Sequence, residues 1–401
     1  MDRPASPPSS RLDRATGLGQ NSAMVAYSEA EQRIVKLTPL AEAHAAIDAL
    51  ARPVEPREVN ISAALGRVLA ADAKAVAMQP ACAVALHDGW AVKSEETLDA
   101  GSYAPALLSA LPPRVDFGQP LPLGADAVAP LDSIVVRGSQ AEALATVAPG
   151  EGVLPAGRDA EADLPLRLAG ERLRATDQAL LSVAGISRVI IREPRIRLVR
   201  AHAGSAVIGA GYGWIAETLA AAGAVVVPDP SDAAAPDHLT AAFHHESSDA
   251  ILVLGGTGSG TLDTSVIALA NAGRVAFHGV GLIPGETAAF GAVGARTVLL
   301  LPGRFDAALA AWLVLGGQWL KKLGGASEED RISMALLARK VTSPLGMAGI
   351  VPVRCRGGSA EPLASGYLSH SALARADGWI LIPPESEGYP PGAQVAVRPL
   401  P

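Results

Sequence analysis

Residues 249–263 read DAILVLGGTGSGTLD. The apolar run Ala250–Leu254 is bounded by a turn-rich stretch, so it reads as a strand buried on both faces. Four glycines, three hydroxyl residues and a closing Asp263 follow, and then TSVIALANAG (264–273) has helical spacing. Working outward, IRLVRA (196–201), AVVVPDP (224–230) and RTVLLLPG (296–303) are strand-like. WIAETLAAAGA (214–224), HLTAAFHHES (238–247) and FDAALAAWLVLGGQWLKKL (305–323) are helical. Buried strands alternating with helices predict a three-layer α/β domain over 195–324 with a parallel-type sheet. Open sheets of this kind bind ligands at the carboxyl ends of their strands, where residues 255–263 lie.

The loop has two readings. As a cradle, Gly255, Gly256, Gly258 and Gly260 let the backbone approach an anion. Thr257 and Ser259 add hydroxyls, and the next helix offers its N-terminal amides. Asp263 would then hold a metal ion bridging to phosphate. As structure, the loop is a tight strand-to-helix turn capped by Asp263. It is no Walker A loop, since no Gly-Lys-Ser/Thr follows, and it is not the first-strand dinucleotide fingerprint. Two further loops, GVGLIPGETAAFG (279–291) and LLLPGRFDAA (299–308), carry Pro284–Gly285 and Pro302–Gly303. Both are expected on the same sheet edge, making a cleft for an extended anionic ligand.

The rest of the chain has other textures. The N-terminal tail, residues 1–34, is rich in Pro, Ser and Arg with no apolar leader core, and is expected to be disordered. A linking domain takes 35–75 and 150–194. In it KLTPLAEAHAAIDALARPV (36–54) predicts a helix capped by Thr38, SAALGRVLAADAKA (62–75) a short helix leading into an extended segment, and TDQALLSVAGI (176–186) a further helix. Residues 187–201 predict two strands broken at Pro194. Pro- and Gly-punctuated short runs over 76–149 predict a β-rich lobe, and 325–401 a small C-terminal β-barrel. In the lobe, the Asp88-Gly89 turn delivers an acid toward the cleft, or merely supports the turn.

Bulk properties exclude several classes. The formal net charge is −7 with no basic run, so no nucleic acid is expected as partner. No apolar stretch approaches ~18 residues, so no membrane span is expected. The two cysteines, Cys82 and Cys355, lie far apart and outside any Cys/His cluster, which fits a reducing cytoplasm. His202, His244, His245 and His278 lack ligand spacing and read as surface or loop residues, His202 being the one nearest the cleft.

Taken together, ALHDGWAVKSEET (85–97), LPLGADAVAPLD (121–132), PAGRD (155–159), LGGTGSGTLD (254–263), LLLPGRF (299–305) and SGYLSHSALARADGWILIPPE (365–385) resemble, in order, the motifs of the MoeA family. These are the molybdopterin molybdotransferases related to the gephyrin E domain. The resemblance covers nearly everything after the tail. It implies a four-part protomer that forms a homodimer, its cleft lying between the α/β domain of one subunit and the lobe of the other. It implies a small-molecule substrate, adenylylated molybdopterin, into which molybdate is inserted with Mg2+ and release of AMP. A molybdopterin-adenylylating protein and a client molybdoenzyme are the implied protein partners.

By position, Asp88, Asp159 and Asp263 keep family acids as catalytic candidates, and Asp132 stands for a Glu as a second metal ligand beside Asp263. Trp90 replaces a Tyr and reads as packing. Other positions depart. Ala203 and Gly204 stand where the family has two acids, and Glu286 where it has a ligand-binding Lys. Arg304 and Phe305 replace Asn-Pro, and the Arg304 guanidinium is a candidate phosphate partner in place of the missing Lys. Two readings follow, an active molybdotransferase or a relative that holds molybdopterin without inserting metal. A third, a scaffolding role, has no sequence feature behind it.

Overall fold

The computed structural model describes residues 32–202, 206–229, 237–327 and 331–401. The expected disordered tail up to residue 31, and the changed positions Ala203 and Gly204, lie outside the described residues. Helix α1 (Leu40–Leu50) buries Leu40, Ala43 and Ile47, spaced to share one face. Pro39 stands at its cap, and Thr38 does not cap it. Thr38 instead exchanges backbone hydrogen bonds with residues 279–281, its N–H reaching Gly279 O at 3.0 Å and its carbonyl taking Gly281 N–H at 2.8 Å.

In the segment 62–75 the expected short helix is absent, while the extended part expected after it is present. A 3-10 turn at Ile61–Ala63 gives way to short strands Val68–Leu69 and Ala73–Lys74. Gly66 at φ 72° breaks the helical path, and burial of Val68 and Leu69 overrides helix propensity. Val68–Leu69 and Arg57–Asn60 flank Arg188–Arg192 in a three-stranded sheet, beside helix α2 (Ala175–Val183). The lobe carries two small antiparallel sheets, one of them built on Gly89–Val92. Trp90 packs there, its indole N–H donating to Leu131 O.

After Pro194 the chain enters a six-stranded sheet. In chain order its elements are β1 (Arg195–Arg200), α3 (Ala206–Ala221), β2 (Val225–Pro228), α4 (His238–His244), β3 (Ala250–Leu254) and α5 (Ser265–Ala272). Then come β4 (Arg274–His278), β5 (Ala289–Val293), β6 (Arg296–Leu301) and α6 (Phe305–Ala311). The strand order is β2-β1-β3-β6-β5-β4. β1, β2, β3 and β6 are parallel, while β5 runs antiparallel to both β6 and β4. The sheet is therefore mixed. The sequence hides β5, because AFGAV sits inside a glycine-bearing loop.

The core continues on both faces of the sheet. α1, α3 and α6 pack on one face, α4 and α5 on the other. All five residues of β3 are at most 1% exposed, as a strand covered on both sides requires. The helix begun by α6 passes through a π turn at Trp312–Gly316 and ends at Gly324.

The C-terminal part closes on itself as a five-stranded barrel of β7 (Ser333–Leu337), β8 (Ala348–Arg356), β9 (Ser359–Pro362), β10 (Gly378–Ile382) and β11 (Gln394–Pro399). A two-residue strand, Leu282–Ile283, adds in parallel to β8 at Ala348–Gly349, fastening the loop between β4 and β5 to the barrel. Among the described residues, no helix is long and apolar enough to cross a membrane.

Candidate functional site

Strand direction decides which loops meet. Because β4 and the parallel strands end at one edge and β5 begins there, the segments after β3, β4 and β6 share that edge. The chain leaves β1 toward β2 on one side and returns to β3 on the other. The gap between the ends of β1 and β3 is thus the topological switch point, where such sheets take ligands.

Contacts confirm the convergence. The hydroxyls of Thr257 and Thr287 are 2.9 Å apart, joining the loop after β3 to the loop after β4. Gly255 and Gly303 back onto each other so closely that a Cβ on Gly303 would lie 3.4 Å from Gly255 Cα. Gly256 adopts φ 73°, and a Cβ there would fall 2.2 Å from Ser265 Oγ. Gly303 thus lies against the 255–263 loop, whereas a Cβ on Gly285 would meet Ala307 O of helix α6 at 3.3 Å, its segment reaching 255–263 through Thr287.

The Asp263 side chain turns back into its own loop. Its Oδ2 accepts the Gly260 N–H at 2.9 Å, and its Oδ1 lies 4.0 Å from His202 Nε2. A Cβ on Gly258 would come within 2.7 Å of that carboxylate, so the glycine makes room for the acid. Asp263 is thus a turn cap in this conformation, and it remains one-quarter exposed beside His202 at the switch point.

One expectation about a side chain needs correcting. His278 is not a surface residue. It is 7% exposed, and its Nε2 lies 2.9 Å from Thr257 O. A carbonyl only accepts, so Nε2 carries the hydrogen and props the glycine loop from beneath. Burial holds the His278 pKa below the ordinary histidine range, against the raising effect of that carbonyl. Glu286 folds back so that its Oε2 accepts the neighbouring Gly285 N–H at 3.0 Å. A loop amide that an anion would use is taken by a carboxylate of the chain itself.

Arg304 is more than half exposed and held on two sides. Asp306 binds its Nε at 2.7 Å and its Nη2 at 3.3 Å, and the Tyr367 ring lies 5.8 Å from its Cζ. Asp306, 2% exposed, also accepts Leu368 N–H at 3.3 Å, tying the α6 end to the C-terminal part. The hydrogen-bonded Asp306 carboxylate raises the Arg304 pKa further, and the Glu286 charge adds to this. One residue on, Phe305 meets Trp214 and His370 edge-to-face in an apolar cavity of about 580 Å³.

The remaining acids lie elsewhere in the chain. Asp88, Asp132 and Asp159 are exposed. Asp88 Oδ1 accepts Phe117 N–H at 2.8 Å, linking the Asp88-Gly89 turn to the segment around Phe117. Among the described residues, no hydrogen bond or ion pair joins any of the three to the glycine loops, and no group of three or more His, Cys, Asp or Glu could hold a metal ion. Magnesium needs near-octahedral oxygen coordination. Magnesium usually takes one or two carboxylates beside waters and substrate phosphates, and among the described residues no contact brings Asp263 and Asp132 together as a ligand pair. Sequence reasoning also missed Gln32, Thr287 and Asp306. Only Asp306 had a local signal, its position two residues beyond Arg304 in the first turn of a helix.

Comparison with known proteins agrees with this architecture. Family models match three consecutive stretches: the MoeA N-terminal region, domains I and II, at 38–185; a probable molybdopterin binding domain at 211–322; and the MoeA C-terminal region, domain IV, at 334–400. A Methanocaldococcus jannaschii protein named for molybdopterin biosynthesis is 26% identical over 377 residues, 85% of this chain and 91% of the relative. Two crystal structures of the molybdopterin biosynthesis MoeA protein from Pyrococcus horikoshii share the fold. Their TM-scores are 0.72 and 0.70 at 22% and 24% identity, and each match covers 91% of this chain and 100% of theirs. The loops of the switch point, the five-stranded barrel and these three consecutive matches together place the chain in the MoeA family of molybdenum cofactor biosynthesis.

Proposed function

We propose that the cleft formed by residues 255–263, 284–287 and 302–304 takes adenylylated molybdopterin, and that the chain inserts molybdate with release of AMP. The observation that carries this reading is the meeting of three loops at one edge of the sheet, two of them tied by the Thr257–Thr287 hydroxyl contact. Backbone amides at such an edge favour phosphate, and the Arg304 guanidinium, kept charged by Asp306, offers a fixed fork for it. The apolar cavity beside Phe305 gives a planar ring an adjoining surface.

The acids of the lobe and of the linking domain enter this reading through a second copy of the chain. Asp88, Asp132 and Asp159, exposed and remote from the loops of their own chain, would complete the cleft of a partner in a homodimer. Magnesium, the cytoplasmic setting and the adenylylating and client proteins belong to the same reading.

A second reading has its own support. Glu286 places a negative charge on the loop and occupies the Gly285 amide, which opposes a phosphate or molybdate there. That favours a protein that holds molybdopterin without inserting metal. Incubating the purified chain with adenylylated molybdopterin, molybdate and magnesium separates the two. AMP release that requires the chain supports insertion; tight binding with no AMP release supports the carrier; neither event contradicts both.

A further inference from the structure

Helix α5 begins without a cap of its own. Thr264 stands at its N-cap position and makes no side-chain hydrogen bond there. First-turn amides must still be satisfied. The group that satisfies them is Gln32, which is 3% exposed. Its Oε1 accepts Val266 N–H at 2.9 Å and Ile267 N–H at 3.4 Å, while its Nε2 donates to Gly256 O at 3.0 Å and Gly258 O at 2.6 Å. All four contacts fall on the glycine loop or on the helix that follows it.

The residues after Gln32 lie along the same edge. Ile34 packs over Gly279, where a Cβ would be 2.5 Å from Ile34 Cγ2, and Thr38 exchanges backbone bonds with residues 279–281. Residues 32–38 thus cross two of the three loops that form the cleft. One side chain in this strap supplies both an acceptor to the helix end and donors to the loop carbonyls.

We propose that Gln32 is an intramolecular stand-in for the anionic group of the ligand, so that the strap and the ligand compete for one place. This rests on the reading that a phosphate-bearing ligand binds at residues 255–263. A neutral amide oxygen satisfies the helix-end amides, but a phosphoryl oxygen forms charge-assisted bonds to the same N–H groups and gains from the helix dipole. The exchange therefore runs toward ligand when ligand is present. Without it, the strap keeps the glycine loop in a bound-like shape. The price of self-occupation is a weaker apparent affinity.

The test uses the full chain, with AMP as probe. AMP is titrated by calorimetry into the wild-type protein and into Gln32→Ala, and amide hydrogen exchange at residues 32–38 is followed in the wild type with and without AMP. The expected result is faster exchange at 32–38 on binding, and AMP affinity roughly tenfold higher in Gln32→Ala, the effect of removing about two competing neutral hydrogen bonds. If Gln32→Ala does not fold, the wild-type exchange still decides. AMP binding that leaves 32–38 unchanged or slower would overturn the inference while leaving the cleft reading intact, with Gln32 reduced to a helix cap. So would a folded Gln32→Ala that binds no tighter. No AMP binding by either protein contradicts the phosphate reading of the cleft, and this inference with it.

Discussion

Thr257 and Thr287, 30 positions apart, meet hydroxyl to hydroxyl at 2.9 Å and lock the loop after β3 to the loop after β4. Thr257 is 1% exposed, so its hydroxyl has little access to water if the partner is removed. Its carbonyl is also held by His278, so the residue fixes the loop from two sides.

Replacing either threonine with valine is expected to destabilise the protein by about 1 kcal/mol, from one lost hydrogen bond and one stranded hydroxyl. The double variant should lose less than the sum, with a coupling of roughly 0.5–1.5 kcal/mol. Urea unfolding of the four proteins measures this cycle. Strict additivity would mean that the contact does not bind the loops together.

Glu286→Lys removes the charge that opposes an anion and frees the Gly285 amide. Molybdate affinity, read by calorimetry, is expected to rise roughly tenfold or more. An unchanged affinity would mean that the 284–287 loop does not face the oxyanion.

Arg304→Ala is expected to act twice. The loss of a guanidinium fork weakens phosphate binding, while Asp306 is left buried with two fewer N–H donors. The stability loss should be about 1–3 kcal/mol. Arg304→Lys should restore part of the stability and less of the affinity, because an ammonium cannot match the bidentate geometry. Equal recovery of both would make Arg304 a structural residue alone.

The pH dependence follows from His278. Its folded pKa is depressed by burial, so the unfolded chain takes up a proton more readily than the folded one as pH falls. Stability is full above the ordinary histidine pKa and declines as pH drops through it toward the folded value. His44, also depressed by burial, adds to the same window. Thermal unfolding between pH 7.5 and pH 5.5 should therefore show a smaller decline in His278→Gln than in wild type, and an identical decline would assign the effect to other groups.

Much of this was legible in the sequence, for local reasons. The run Ala250–Leu254 announced a buried strand, the glycines after it a tight turn at the carboxyl edge of the sheet, and Pro194 the passage from one sheet to another. The Pro-Gly pairs marked the two companion loops. What stayed hidden was settled at long range. β5 pairs with β4 and β6 although its sequence contains a glycine, because both neighbours are already in place. The 62–75 stretch has helical composition, yet its valine and leucine are buried between strands and the turn at Gly66. Gln32 finds its carbonyl partner 224 positions away, a contact that no periodicity foretells.

Hydrogen exchange of the full chain with adenylylated molybdopterin tests the central claim most directly. The account predicts that residues 255–263, 284–287 and 302–304 gain protection together on binding. Protection confined to another part of the molecule, such as the polar cavity lined by Arg52, Ser248 and Arg296, would contradict it. So would binding that leaves all three loops unchanged.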